Sequence, residues 1–448
     1  MIGAGRSGLA ACAVLRERGI KVYAYDDFAA DGSEQAARLA QLGVALISKQ
    51  AVRSSTFACA VVSPGVPLDS YAVQEMRKAG VCVYSEVEVA YRLCRAPIIA
   101  VTGTKGKSTT AALIAHLLRT AGKRVRLGGN IGNPLIAETA RAQPDEWIVA
   151  EVSSFQLETI EEFAPHISVL LNVFADHLDR YDSLPAYERA KLRIFENQGP
   201  RDVFIGNAGD PVVGRLRSSA TPLSCQARWF AREPGAGISL WLRGNTIAWN
   251  GPDGNAPETI VAQLSGIRLR GMHNLDNALA ATLAALCAGA GVETIGRGLL
   301  SFAPLDHRLS VVETADGITW VDDSKATNPR AAISALESFA APLVIIAGGA
   351  GKNADFTELG RAASQRCKLV VLIGDCAPQI AAHIAGPPVV RAPTLGAAVD
   401  AAAAHAKAGD VVLLSPGAAS FDMFASAEER GEKFAALVRE RTVPVSAQ

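Results

Sequence analysis

A glycine- and lysine-rich stretch carries the strongest chemical signal in the sequence. Residues 102–109 read TGTKGKST and stand between the apolar run 98–101 and the amphipathic segment 108–121. A loop that joins a strand to a helix presents consecutive backbone N–H groups and a helix N-terminus to an anion. Lys107 would neutralise phosphate oxygens, and one of the two hydroxyl residues after it could hold Mg²⁺. The stretch therefore predicts a site for the phosphates of a nucleotide.

The spacing of this stretch departs from the general GxxxxGK[ST] pattern, because Val101 stands five residues before Gly106. The alternative is an ordinary glycine-containing turn between a strand and a helix. The order of the residues and the flanking elements favour phosphate binding over that alternative. The residues assigned to the phosphates are Gly103, Thr104, Lys105, Gly106, Lys107, Ser108 and Thr109.

Carboxylates and an imidazole follow two further apolar runs. Glu151 closes the run 147–150, and a second group follows the run 167–173. That group consists of Asp176, His177 and Asp179. Parallel strands present their carboxyl ends to ligands at one edge of a sheet, and Mg²⁺ beside a triphosphate needs oxygen ligands. Taken singly, these residues also fit helix capping or a surface turn; together they predict a metal site.

The start of the chain carries a second glycine pattern. Residues 3–8 read GAGRSG, and Asp26 and Asp27 follow the next apolar run. GxGxxG with a distal acid predicts a diphosphate over the glycines and a sugar near the acid, as in UDP-sugars or NAD. The pattern alone does not choose between these ligands. Because Gly3 follows only two residues, either the first strand is very short or the true start lies upstream.

Three loops near the end of the chain follow apolar runs and carry lysines or hydroxyls. They are DDSKATN at 322–328, GGAGK at 348–352 and SPGAAS at 415–420. Two lysines on one edge of a sheet could grip an anionic co-substrate. The alternative, solvated loop lysines, is equally compatible with the residues themselves.

The elements that must position these residues form three α/β cycles in series. Strands and helices alternate through 1–95, through 96–303 and through 304–448. Within the central cycle, the turn Arg243-Gly244-Asn245 between alternating segments predicts a small antiparallel sheet. Asn328-Pro329 predicts the N-cap and first residue of a helix. We therefore expect an α/β protein of three domains.

Composition and charge narrow the class of protein. Hydrophobic residues make up 49% and charged residues 20% of the 448 residues, as in folded soluble chains. Lysine plus arginine equals aspartate plus glutamate, at 44 each, so no overall field draws the chain to nucleic acid or membrane. The eight cysteines include no CxxC pair, and no leader pattern opens the sequence. We expect a cytoplasmic protein with free thiols.

The order and spacing of eight motifs resemble those of the Mur ligase family. The motifs are TGTKGKST (102–109), GGNIGNP (128–134), EVSSFQLE (151–158), DHLDRY (176–181), AKLRIFEN (190–197), MHNLDNALAA (272–281), DHRL (306–309) and DDSKATN (322–328). Within the family, SSFQLE, DSKATN and SPGAASFDMF resemble the ligases that add D-glutamate to UDP-N-acetylmuramoyl-L-alanine. The resemblance spans essentially the whole chain.

The resemblance implies a function for each α/β cycle. Residues 1–95 would be a Rossmann-like domain that binds the UDP-substrate, and 96–303 a P-loop-like ATPase domain with the small antiparallel side sheet. Residues 304–448 would be a Rossmann-like domain that binds the amino acid. ATP would be a co-substrate, Mg²⁺ the cofactor and an acyl phosphate the intermediate of peptidoglycan precursor synthesis. We expect a monomer with no nucleic-acid or membrane partner.

Site residues follow from the resemblance position by position. Catalysis would involve Lys107, Glu151, His177 and Lys191, with Ser108, Glu151, His177 and a carbamylated Lys191 at the metal. ATP would also contact Asn274, Asn277, Arg308, Asp323 and Lys325. The UDP-substrate would contact Gly5, Arg6, Ser7, Asp26, Ser63, Gly65 and Asn130. D-glutamate would contact Thr327, Lys352, Ser420 and Phe421.

Two departures from the family pattern and three other functions stay open from the sequence. Lys105 replaces an Asn often found in the family's loop, and Asp27-Phe28 lacks the basic residue expected beside Asp26. A ligase of the same superfamily with another amino acid is one alternative. An NAD-dependent oxidoreductase is the second, but it would leave the TGTKGKST loop, Glu151 and Lys191 without a role. A nucleotide-regulated binding module without turnover is the third.

Overall fold

The chain divides into two compact units, which we describe separately. The computed structural model describes residues 1–29, 32–54, 56–176, 180–218, 222–251, 256–269, 271–303, 305–315, 317–351 and 354–442. Unit 1 comprises Met1–Ile267 and His273–Phe302, and unit 2 comprises Arg268–Met272 and Ala303–Gln448. The boundaries at 95 and 303 of the three predicted domains stay a prediction.

The first part of unit 1 is a small parallel sheet with helices between its strands. The strands are β1 (Tyr23–Ala24), β2 (Ala45–Leu46), β3 (Ala60–Val62) and β4 (Val83–Ser85). The helices are α1 (Arg6–Glu17), α2 (Glu34–Gln41), α3 (Lys49–Ser54), α4 (Tyr71–Lys78) and α5 (Glu86–Leu93). β1 pairs with β2 and β3 with β4, all in parallel. Ile2 joins the two pairs, because it bridges Tyr25 on one side and Val62 on the other.

The rest of unit 1 is built on one large sheet. Its strands are β5 (Ile98–Thr102), β6 (Val125–Gly129), β7 (Trp147–Glu151), β8 (Ile167–Leu170), β9 (Val203–Asn207), β10 (Gln226–Phe230), β11 (Leu240–Arg243), β12 (Thr246–Trp249) and β13 (Thr259–Gln263). Its helices are α6 (Lys107–Thr120), α7 (Leu135–Thr139), α8 (Ser154–Leu157), α9 (Leu184–Leu192), α10 (Pro211–Gly214), α11 (Met272–Cys287) and α12 (Val292–Ser301). The strand order is β13-β12-β11-β10-β9-β8-β5-β7-β6.

The order of the strands explains which residues meet. β5 lies between β7 and β8 and pairs with both in parallel, so the loops after these three strands open at one edge. All five residues of β5 are buried, as expected of a parallel strand covered on both faces. The predicted antiparallel strands are present as β11, β12 and β13, and they extend the edge of this same sheet.

Unit 2 is a second, mostly parallel sheet between helices. Its strands are β14 (Ser310–Ala315), β15 (Ile318–Asp322), β16 (Leu343–Gly348), β17 (Cys367–Ile373), β18 (Val389–Arg391) and β19 (Val411–Leu414), in the order β14-β15-β19-β16-β17-β18. Its helices are α13 (Pro329–Glu337), α14 (Thr357–Arg366), α15 (Ala377–Ala381), α16 (Leu395–His405) and α17 (Ala427–Thr442). Asn328 caps α13 by accepting the N–H of Ala331. The α/β fold class and this helix start are therefore confirmed.

No helix in the described part of the chain combines the length and the apolar character needed to cross a membrane. The eight cysteines are all free thiols.

Candidate functional site

The predicted phosphate loop lies between the buried strand β5 and the N-terminus of α6. Gly106 is the residue before α6 and has a φ of 85°, a left-handed conformation that favours glycine. A Cβ atom at Gly106 would lie 2.1 Å from Oδ1 of Asn277, so space as well as conformation requires glycine here. Asn277 and Asn274 are buried on α11, and the amide of Asn277 donates to Oδ1 of Asn274 at 3.0 Å. The predicted nucleotide residues of unit 1 are thus brought together.

Asn172, which the sequence analysis did not assign, holds the phosphate loop. Its Oδ1 accepts the backbone N–H groups of Thr104 at 3.0 Å and Lys105 at 2.9 Å. Its Nδ2 donates to the carbonyl oxygen of Lys105 at 3.2 Å. The side-chain amide of Asn172 therefore fixes the orientation of backbone N–H and C=O groups in the loop. The signal in the sequence is limited to the position of Asn172 at the end of an apolar run.

Two lysine side chains donate hydrogen bonds to carbonyl oxygens of the phosphate loop. Nζ of Lys107 donates to the carbonyl oxygens of Gly103 at 2.9 Å and Thr104 at 3.0 Å. Nζ of Lys191 donates to the same Gly103 oxygen at 2.8 Å and lies over the ring of Tyr187. Burial lowers the pKa of the Lys191 amine well below its ordinary value, and the Lys107 ammonium lowers it further. Burial and the neighbouring Lys107 ammonium therefore disfavour the charged form of Lys191.

Glu151 is the acid that the structure places beside these lysines. Its side chain is buried, and Oε1 accepts the Nδ2 hydrogen of Asn130 at 2.8 Å. Oε2 is also buried, and no hydrogen-bond partner for it occurs among the described residues. A buried carboxylate oxygen without a donor is stabilised by a cation. Together, the free oxygen and its position after β7 fit a divalent metal ion.

The second predicted acidic group is described only in part. Asp176 lies near the loop, with Oδ2 3.6 Å from Nζ of Lys105. His177 and Asp179 lie outside the described residues. Within the part of the chain that the structure describes, three or more metal-ligating side chains do not come together. The predicted metal set therefore stays a prediction apart from the placement of Glu151.

A pocket of about 430 Å³ lies over the glycine pattern at the start of the chain. It is lined by all the residues assigned to the UDP-substrate, namely Gly5, Arg6, Ser7, Asp26, Ser63, Gly65 and Asn130. Gly8 packs the start of α1 onto the first turn, because a Cβ atom there would lie 1.9 Å from the Gly3 carbonyl oxygen. Gly5 has open space in front of it, which leaves room for a diphosphate.

Two residues not assigned from the sequence lie in or next to this pocket. Gln156 lines it, and the Gln156 Oε1 atom is held by the backbone N–H and the hydroxyl of Ser153. Arg180 donates to the carbonyl oxygen of Pro64, another lining residue, at 3.0 Å. The guanidinium of Arg180 lies over the ring of Phe155 at 3.8 Å. The loop that carries Ser63 and Gly65 is therefore tied to the central part of unit 1.

In unit 2, the loop 322–328 follows β15 and is held by buried polar groups. Asp323 is buried and accepts the Ser415 hydroxyl at 2.8 Å, and burial raises the pKa of its carboxyl to about 7. The charge of Arg308 acts on Asp323 in the opposite direction, lowering that pKa. Lys325 forms an ion pair with Glu428. The assigned ATP residues of unit 2 therefore lie within one loop network.

The predicted D-glutamate residues are spread over the loops of unit 2. Thr327 is exposed, Ser420 is buried and Phe421 is 66% exposed, while Lys352 lies outside the described residues. Arg430, which the sequence analysis did not assign, is buried and donates to the carbonyl oxygens of Ser324 and Ala418. It thereby joins the DDSKATN and SPGAAS loops. Roles in amino-acid binding stay a prediction.

Comparison with known proteins matches both units. The Mur ligase middle domain matches residues 101–285, and the Mur ligase glutamate ligase domain matches residues 307–417. A UDP-N-acetylmuramoylalanine–D-glutamate ligase of Pelotomaculum thermopropionicum is 41% identical, covering 98% of this chain and 96% of the relative. Another, of Koribacter versatilis, is 39% identical with coverages of 98% and 96%.

Solved structures agree on the fold. The chain is similar to the UDP-N-acetylmuramate–alanine ligase MurC of Thermotoga maritima, with a TM-score of 0.61, 19% identity and coverages of 98% and 98%. The MurF ligase of the same organism, in complex with ADP, gives a TM-score of 0.60, 17% identity and coverages of 95% and 91%. The oxidoreductase alternative finds no support in these relatives. The resemblance inferred from the motifs is confirmed, and the chain belongs to the Mur ligase family, among the UDP-N-acetylmuramoylalanine–D-glutamate ligases.

Proposed function

We propose that the protein joins D-glutamate to UDP-N-acetylmuramoyl-L-alanine with consumption of ATP, a step of peptidoglycan precursor synthesis. The observation that carries this proposal is the position of Asn130. This residue lines the pocket over the glycine pattern and also donates to Glu151, beside the phosphate loop. A substrate in the pocket therefore has its reactive end near the phosphates. The names of the relatives supply the identity of the substrate.

The residues of unit 1 would act on ATP by binding and charge compensation. The N-terminus of α6 would face the phosphates, and Lys107 would offset their negative charge. Transfer of the γ-phosphoryl group to the L-alanyl carboxylate brings two anions together, which Lys107 makes less unfavourable. The products are an acyl phosphate and ADP. The D-glutamate amine then attacks the acyl carbon, the amide bond forms and phosphate leaves.

Mg²⁺ fits the carboxylate of Glu151, whose buried Oε2 has no donor among the described residues. We assign Ser108 and His177 to the same ion, together with Lys191 as a carbamate. When bound, Mg²⁺ would polarise the phosphoryl oxygens and compensate their charge. Carbamylation of the neutral Lys191 amine by carbon dioxide would release a proton and leave an anion, which the neighbouring Lys107 ammonium attracts. Carbon-13 bicarbonate and NMR would reveal a carbamate signal that disappears in Lys191→Arg.

The amino-acid substrate is assigned to unit 2. Thr327, Ser420, Phe421 and Lys352 match the positions that hold D-glutamate in the family, and they would position the amine for attack. Arg308, Asp323 and Lys325 would contact the nucleoside of ATP. We further infer a cytoplasmic monomer that serves cell-wall synthesis and, through it, cell shape and division. Sedimentation equilibrium of the purified chain tests the monomer.

Phosphate release is the experiment that tests the proposed function. The chain is mixed with ATP, Mg²⁺ and UDP-N-acetylmuramoyl-L-alanine, and D-glutamate is compared with L-glutamate, L-lysine and no amino acid. Release that requires D-glutamate supports the proposal, and release with another amino acid replaces the substrate. Lys107→Met should lower kcat/KM on the order of 10²- to 10³-fold. Lys123→Met, just beyond the other end of α6, serves as the control and should leave the rate unchanged.

A further inference from the structure

Phe28 is an aromatic side chain without an assigned role at the wall of the UDP-substrate pocket. Its side chain is 95% exposed, yet it is one of the residues that line the 430 Å³ pocket. Single exposed apolar residues are normal on protein surfaces and need no explanation. A large flat ring at the wall of a ligand pocket is different, because a ligand can cover it.

The polar groups next to Phe28 are engaged in holding its loop. Oδ1 of Asp26 accepts the N–H groups of Phe28 at 2.8 Å and Ala29 at 3.2 Å, and Oδ2 accepts the N–H of Ala4 at 2.6 Å. Asp26 therefore fixes the backbone of Phe28 relative to the glycine-rich turn. The Phe28 ring therefore projects from a backbone whose position is fixed.

Asp27 does not compete with the ring for the ligand. Its Oδ1 accepts the hydroxyl hydrogen of Tyr25 at 2.5 Å and lies 3.4 Å from Nζ of Lys49. The carboxylate is thus drawn into a separate hydrogen bond and ion pair. Of the two residues after Asp26, Phe28 is the one whose side chain is left for a flat, weakly polar group.

The geometry of the pocket limits which part of a ligand reaches the ring. A diphosphate belongs at the open space over Gly5, at the N-terminus of α1. A nucleoside attached to that diphosphate extends along the pocket with its base as the flat group. We propose, on the basis of the proposed function, that Phe28 stacks on the pyrimidine base of the UDP-substrate. The ring of Phe28, rather than a basic side chain, would then recognise the base, through its π-face.

This assignment resolves the departure noted in the sequence, where Asp27-Phe28 lacks a basic residue. Stacking of a base on an aromatic ring changes affinity by roughly 5- to 150-fold when the ring is removed. It depends on the face of the base and tolerates different bases. Loss of the ring should therefore weaken binding of ligands that carry a base and leave base-free ligands unaffected.

Calorimetry with UMP and ribose 5-phosphate, in the presence of saturating ADP to fill the phosphate loop, tests the stacking. We expect Phe28→Ala to weaken UMP binding by roughly 5- to 150-fold and to leave ribose 5-phosphate unchanged. Phe28→Tyr should bind UMP as the wild type does, and Phe28→Leu should bind it less tightly. Ile20→Ala, which removes an exposed apolar side chain outside the pocket, is the matched control.

The indole fluorescence of Phe28→Trp gives a second readout, since a stacked base should quench it on addition of UMP. Unchanged UMP binding in Phe28→Ala, or equal weakening of UMP and ribose 5-phosphate, would overturn the stacking. Failure of the wild type to bind UMP would overturn it as well. Wild-type UMP binding without phosphate release would count against the proposed ligase activity alone, because binding is measured without D-glutamate.

Discussion

Two loops of the molecule follow parallel strands in the same way but are held by opposite kinds of side chain. In unit 1, the neutral amide of Asn172 accepts two N–H groups of the phosphate loop and donates to one carbonyl. In unit 2, the guanidinium of Arg430 donates to the carbonyl oxygens of Ser324 at 2.9 Å and Ala418 at 3.2 Å. It also donates to the Ser324 hydroxyl at 2.9 Å.

The energetic consequences of the two anchors differ. Arg430 is fully buried, and burial lowers the pKa of its guanidinium to about 10. A buried charge is unfavourable unless its donors are satisfied. Loss of the Arg430 hydrogen bonds would therefore destabilise the buried guanidinium as well as the loops that it holds. An amide has no charge to desolvate, and its hydrogen bonds contribute about 1 kcal/mol each. The anchor in unit 2 is therefore the stronger constraint.

The comparison indicates why the phosphate loop has the weaker anchor. This loop carries Lys105 and Lys107 and should receive a polyanion, so any charge on its anchor would add to or subtract from their field. A neutral anchor leaves that field unchanged. In unit 2 the positive charge of Arg430 is enclosed by carbonyl oxygens, where it holds two loops together.

Replacement of Arg430 should have the largest effect. Arg430→Met leaves the carbonyl oxygens of Ser324 and Ala418 without the Arg430 donor. At about 1–3 kcal/mol for each unsatisfied carbonyl, unit 2 should be destabilised by about 2–6 kcal/mol. Hydrogen exchange read by mass spectrometry would show faster exchange in the loops 322–328 and 415–420. Arg439→Met, at an exposed position of the same helix, is the matched control. Equal exchange in the two variants would contradict the role of Arg430 as an anchor.

A buried acid in the same loop network should make unit 2 sensitive to pH. Burial raises the pKa of the Asp323 carboxyl from 3.8 to about 7. Between these values the folded state keeps a proton that the unfolded state has lost, so the free energy of unfolding falls as pH rises. The slope from this group is about 1.4 kcal/mol per pH unit within the window, and it vanishes above pH 7 and below pH 4.

Comparison of the wild type with Asp323→Asn isolates this contribution from that of other acids. Urea unfolding of unit 2 can be followed at several pH values through hydrogen exchange of β15 and β19. The free energy of unfolding should fall less with rising pH in Asp323→Asn than in the wild type. Parallel decline in both proteins would mean that Asp323 titrates normally. Asp375→Asn removes an exposed acid of the same unit and should leave the pH dependence unchanged.

Much of the framework could be predicted from the sequence because its signals are local. The buried strand β5, the glycine loop after it and the start of α6 are adjacent in the chain. The Asn328-Pro329 pair likewise predicts the start of α13 from two neighbouring residues. The pocket over Gly5 followed from one glycine pattern together with a resemblance to known ligases. In each case the pattern that predicts the feature spans only a few neighbouring positions.

The anchors could not be predicted because their partners are distant in the chain. Asn172 is 67 and 68 residues from the two N–H groups it accepts, and Arg430 is 106 residues from Ser324. Each pairing depends on which strands become neighbours in the sheet, and no local pattern encodes that order. Asn172 and Arg430 also occur in segments whose other residues indicate only a strand end and a helix.

Replacement of Asn172 should have the smallest effect and bears most directly on the comparison. Asn172→Ala removes the side-chain oxygen that accepts the N–H groups of Thr104 and Lys105, while the backbone oxygen of residue 172 still accepts the Thr104 N–H. This loss should weaken ATP binding by about 1–3 kcal/mol. That corresponds to roughly a 5- to 150-fold rise in KM for ATP, with a smaller change in kcat. Asn197→Ala is the control, since Asn197 also donates to backbone oxygens but does so away from the loop, at Glu161 and Phe163.

Asn172→Asp separates the geometry of the anchor from its charge. The carboxylate can still accept both N–H groups, so hydrogen exchange of the loop 103–106 should stay closer to the wild type than in Asn172→Ala. Its negative charge opposes the phosphates, so KM for ATP should nevertheless rise. An ordered loop with weakened ATP binding is the outcome expected if neutrality matters. Wild-type KM in Asn172→Asp would show that hydrogen bonding alone determines the choice of anchor, and the contrast with Arg430 would then have no electrostatic basis.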